Sequence, residues 1–116
     1  MDRILVVAPT ADLRRSLRFA LESEGYFVTD SPWMERLRVS PGEFDCTIVD
    51  SHAAVGDLED LAEFCRSFHP VILLANAASH PLAAFVFSIV FKPLLGPFLS
   101  QAVRRAIDAT APKYDP

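Results

Sequence analysis

Residues 44–50 read Phe-Asp-Cys-Thr-Ile-Val-Asp. Cys46–Val49 has the length and character of a short buried strand, and it runs directly into a carboxylate, Asp50. Similar runs occur at Ile4–Val7, Val71–Leu74 and Val86–Val90. Their nearly unbroken apolar character means burial on both faces, as in the inner strands of a parallel sheet. A weaker run, Tyr26–Thr29, adds a further strand. Between these runs lie stretches with helical spacing. That alternation reads as βαβ units, so the expected fold is α/β: a doubly wound, five-stranded parallel sheet of flavodoxin-like form, built as one domain over residues 1–116.

The helical stretches carry their own punctuation. Thr10 is placed to cap a first helix, with Asp12 in its first turn and Leu13, Leu17, Ala20 and Leu21 as its apolar stripe. Gly25 ends it, because glycine accepts the left-handed stop. Ser31-Pro32 suggests a brief second helix with Trp33, Met34 and Leu37 inward, broken at Ser40-Pro41-Gly42. Asp57 caps a third, with Leu58, Leu61, Cys65 and Phe68 on one face. Gly96-Pro97 opens the last, with Leu99, Ala102, Val103, Ala106 and Ile107 inward. One unit breaks the rhythm. Residues 76–85 must hold two loops of roughly 2–6 residues and any helix between them. Pro81 stands in the middle, so the fourth helix of the doubly wound order is expected to be truncated or replaced by a loop.

The totals exclude several classes. The chain has 116 residues, half of them hydrophobic, which is a globular composition that needs no disulfide or metal staple. A net charge of -4 argues against direct nucleic-acid binding, which needs clustered Lys and Arg. The longest apolar run, Pro81 to Phe91, is too short to cross a membrane, and the start, MDRILVV, lacks signal-peptide features. Cys46 and Cys65 sit inside apolar patterns and read as buried free thiols of a cytoplasmic protein. His69 and His80 have no partners at ligand spacing. The glycines, at 25, 42, 56 and 96, make no phosphate-binding loop, which disfavours a nucleotide- or flavin-binding enzyme of the same fold.

In a doubly wound sheet, chemistry sits beyond the carboxyl ends of the strands. Here those ends carry Ala8-Pro9, Asp50, Ala75 and Lys92. An aspartate and a lysine in one crevice form an ion pair, or they serve phosphoryl transfer, with the carboxylate as nucleophile and the ammonium holding a phosphoryl oxygen. That transfer ordinarily also needs a divalent cation. His52 lies two residues past Asp50; it reads as a solvated loop residue, with a place lining the same crevice as the alternative. Arg14, Arg15 and Arg18 read as a solvated helix face.

The segments Ile4–Val7 with Ala11–Val28, Phe44–Asp50, His69–Ala75 and Ile89–Leu94 together resemble the receiver domain of bacterial two-component response regulators. The resemblance covers almost the whole chain. It implies that Asp50 stands at the phosphoacceptor position and Lys92 at the phosphate-contacting position, with Lys92-Pro93 as the family's cis peptide. It also exposes departures. The family's acidic pair for magnesium is replaced by Ala8 and Pro9, so no metal site is expected. The hydroxyl residue at the end of the fourth strand is replaced by Ala75, and the aromatic switch residue by Ile89.

The joint change at these positions leads to one expectation. The chain is a degenerate receiver, not an enzyme: a protein–protein interaction module of two-component signalling with impaired magnesium-dependent phosphorylation and no cofactor. The alternative is a working phosphoacceptor, using magnesium and phosphorylated on Asp50 by a histidine kinase or phosphotransfer protein. Phe85, Phe87 and Phe91 flank the shortened helix. They place an expected interface, self or foreign, at residues 76–91 and the start of the last helix.

Overall fold

The computed structural model describes residues 2–34, 39–92 and 97–110. Strands β1 (Arg3–Val7), β2 (Phe27–Ser31), β3 (Cys46–Asp50), β4 (Val71–Ala75) and β5 (Ser88–Phe91) form one parallel sheet in the order β2-β1-β3-β4-β5. Helices α1 (Ala11–Ser23), α2 (Leu58–Ser67) and α3 (Phe98–Thr110) cover it. The strands alternate their side chains between two cores, as the two-residue pleat requires. Ile4, Val6, Ile48, Ile72 and Leu74 point to the side of α1 and α3, where they meet Leu17, Leu21, Ala102, Val103 and Ala106. Leu5, Val7, Val49 and Leu73 point to the side of α2, where they meet Leu61, Cys65 and Phe68. This explains the unbroken apolar runs, since β1, β3 and β4 have no solvent face. Each fully buried Ile or Leu in these rows contributes roughly 1.5–3 kcal/mol.

The local signals act as their chemistry demands. Asp57 accepts a hydrogen bond from the Glu59 amide at 3.0 Å and so caps α2. Gly25 takes φ +93° where α1 stops. Burial pushes the Cys46 thiol up to about 12 and raises that of Cys65, so neither is poised as a nucleophile.

Between β4 and β5 the expected helix is replaced by a 3₁₀ turn, Pro81–Phe85. His80 caps it, its Nδ1 accepting from the Leu82 amide at 3.1 Å. Leu82, 1 % exposed, is the one side chain of the turn that enters the α2-side core. Phe85, Phe87 and Phe91 remain 36 %, 38 % and 50 % exposed.

Other expectations shift. Ser31 ends β2 instead of opening a helix, Pro32–Met34 is not helical, and Trp33 is 48 % exposed. Strand pairing with β1 extends to Ser31 and takes the backbone that the helix would have used. Met34 does pack against the α2-side core. Leu37 lies outside the described residues, as do Gly96 and the Lys92-Pro93 peptide bond. Ala20 and Leu58 are exposed, each at the margin of its helix's apolar stripe. Strand β5 begins two residues later than its apolar pattern suggested. Among the described residues no helix is long and apolar enough to cross a membrane.

Candidate functional site

The sheet register lines up the candidate residues. Asp50 pairs with Leu74 and Ala75 with Phe91, while Val7 pairs with Val49, one step before Ala8 and Asp50. The amide of Lys92 donates to the Ala75 carbonyl at 3.0 Å, which carries β5's alignment one residue past its end. Ala8, Asp50, Ala75 and Lys92 therefore stand side by side along the carboxyl edge of the sheet.

Asp50 is 2 % exposed, and the Lys92 ammonium donates to its Oδ1 at 2.5 Å. A carboxylate withdrawn this far from water costs several kcal/mol unless a cation and good geometry compensate. Lys92, with its side chain 18 % exposed, is that cation, as expected of two strand-end charges in one crevice. His52 stands on a short 3₁₀ turn, Ser51–Ala53, which follows β3 and is anchored by buried Ala53. Its ring is 65 % exposed, as a loop histidine should be, yet Nδ1 lies 3.5 Å from Asp50 Oδ1 and 3.4 Å from Lys92 Nζ. The structure thus groups three polar residues where the sequence reading paired two.

The positions of the expected metal and switch groups are apolar. Ala8 is fully buried and Ala75 is 2 % exposed. Ile89 packs into the α2-side core. Asp12 does not reach the crevice; it pairs with Arg15 on the outer face of α1. Arg18 likewise binds Glu22 and Asp30 at the surface. Arg14 departs from the solvated-face reading. Its guanidinium turns back and donates to the carbonyls of Ala8 at 2.8 Å and Pro9 at 3.2 Å. Helical spacing does not mark it, since Arg18 flanks the same leucine stripe; what differs is that Arg14 lies in the first turn of α1, close to the loop after β1.

A doubly wound parallel sheet with a buried carboxylate at the end of β3, paired with a lysine just past the end of β5, is a receiver-like arrangement. The chain is similar to the transcriptional regulator protein FixT of Rhizobium meliloti, 32 % identical over 94 residues that span 80 % of this chain and 82 % of FixT. Its fold matches the non-phosphorylated receiver domain of HemR from Leptospira biflexa, with a TM-score of 0.80, 23 % identity, and 98 % and 100 % of the two chains covered. It also matches the receiver domain of the sensor histidine kinase PA1611 from Pseudomonas aeruginosa, whose structure holds a magnesium ion in its active-site cleft. There the TM-score is 0.71 at 22 % identity, over 92 % and 98 % of the chains. No protein-family model matches the chain. The chain belongs to the receiver-domain family of two-component response regulators.

Proposed function

We propose that the chain is a degenerate receiver, a cytoplasmic protein–protein interaction module without catalytic activity or cofactor of its own. Magnesium-dependent phosphorylation is impaired in it. The observation that carries this reading is the pair of internal cations at the crevice. Magnesium needs several oxygen ligands in near-octahedral geometry. Ala8 and the Pro9 ring offer no side-chain oxygen. Arg14 engages the two carbonyls of that loop, and Lys92 engages Asp50 Oδ1. The donor set does not fit the ion. Ala75, lacking a hydroxyl, is no partner for a phosphoryl oxygen either. The alternative, a phosphoacceptor at Asp50, draws on one specific observation: the carboxylate and the lysine which that chemistry requires are both present and in contact.

Thermal melting with beryllofluoride, a mimic of an aspartyl phosphate, separates the two. A ligand that binds only the folded state must raise the melting temperature by mass action. No magnesium-dependent rise is expected. A clear rise that Asp50→Asn abolishes would establish the alternative.

The partner in this reading is a protein, such as a histidine kinase or phosphotransfer protein, or a second copy. The exposure of Phe85, Phe87 and Phe91, and of Phe98 at 63 %, supports an interface over residues 76–91 and the start of α3. Sedimentation of the wild type should show concentration-dependent association, or else crosslinking should trap a foreign partner there. Phe85→Asp and Phe87→Asp, made separately, should each weaken it. A strictly monomeric protein with no crosslink at this face removes the interface from the proposal.

A further inference from the structure

A cavity of about 350 Å³ lies between β5 and α3. Most of its lining follows two periodicities, with Ile89 and Phe91 also bordering it on the β5 side. Ser88, Val90 and Lys92 alternate along β5 and its extension, so they share the side that faces α3. Phe98, Ala102 and Arg105 recur at helical spacing and form one stripe of α3. The middle is apolar, from Val90, Phe98 and Ala102. The polar groups are a hydroxyl and two cations. The Ser88 hydroxyl oxygen is shielded from solvent and has no hydrogen-bond partner among the described residues. A buried polar group left in that state ordinarily costs free energy unless a further molecule satisfies it. Arg105 takes part in no ion pair among the described residues. Lys92 reaches the same space while its ammonium holds Asp50.

We propose that this cavity is a binding site for a small amphipathic carboxylate, with its chain against Val90, Phe98 and Ala102 and its anionic end shared by Arg105 and Lys92. The volume sits at the low end of small-molecule sites, roughly 300–1,000 Å³, which has room for a medium-chain acid. The acid end and Asp50 compete for one ammonium, so the site is coupled to the crevice. The proposal stands whether or not Asp50 accepts a phosphoryl group.

The test is titration of the whole chain with octanoate, followed by calorimetry and by amide chemical shifts. Saturable one-to-one binding is expected, with shifts confined to Ser88–Lys92, to Asp50 across the ion pair, and to the face of α3 carrying Ala102 and Arg105. Octanol, which keeps the chain and lacks the charge, should bind at least about tenfold more weakly, as should octanoate to Arg105→Gln. Ser88→Ala, a small change that leaves the fold intact by circular dichroism, should also weaken it. Asp50→Asn should tighten it, because the Lys92 ammonium loses its competing partner. Shifts mapping elsewhere, equal binding of octanol, or an unaltered affinity in both Arg105→Gln and Ser88→Ala would overturn the proposal. Weaker binding by Asp50→Asn would overturn the sharing of Lys92.

Discussion

Replacing Lys92 with methionine should destabilise the chain by about 3–5 kcal/mol, read as a lower urea midpoint at unchanged slope. The methionine keeps most of the stem's packing, so the loss isolates the charge. What remains is a carboxylate 2 % exposed, with the solvated ring of His52 as its nearest remaining cationic partner among the described residues. Asp50→Asn should cost less, because Lys92 is more accessible than its partner and can turn its ammonium toward water. Joining Lys92→Met with Asp50→Leu should recover much of the single-mutant loss, since a buried pair replaced by apolar groups of similar volume is often near neutral. A Lys92→Met protein as stable as the wild type would show that Asp50 does not depend on this ion pair.

Leu82→Ala should cost about 2–5 kcal/mol, as truncations of fully buried leucines do. The turn Pro81–Phe85 has only a short 3₁₀ run of its own, and Leu82 is its buried residue in the α2-side core. Its removal leaves a cavity in the α2-side core and loosens the covering of that side. Phe85→Ala, in the same turn but 36 % exposed, should cost less than about 1 kcal/mol. Equal effects from the two substitutions would mean that the turn is held by surface contacts instead.

The sheet was legible because it is doubly covered: strands without a solvent face announce themselves as runs such as Ile4–Val7 and Val71–Leu74. The missing helix was legible by arithmetic, since ten residues around Pro81 leave no room for one. The pairing of Asp50 with Lys92 followed from their common place at strand ends. Two things were less visible. Ser31-Pro32 carries a helix-start signal, but sheet pairing to β1 overrides it at Ser31, a tertiary effect absent from local spacing. Arg14 belongs to a run of arginines that looks uniformly solvated, and only the short distance from the start of α1 back to Ala8 and Pro9 separates it from Arg15 and Arg18.

The ion pair also joins parts of the sheet with unequal protection. Asp50 ends β3, which is central and flanked by β1 and β4. Lys92 follows β5, a four-residue strand at the sheet's border with β4 as its single strand partner. Local opening in a folded protein starts where contacts are fewest. The bond therefore acts as a latch, fastening the border strand to the central strand of the sheet. Whatever draws charge from Asp50 or from Lys92 releases that latch, and β5, with exposed Phe91 at its end and Phe87 just before it, is the element set free to respond.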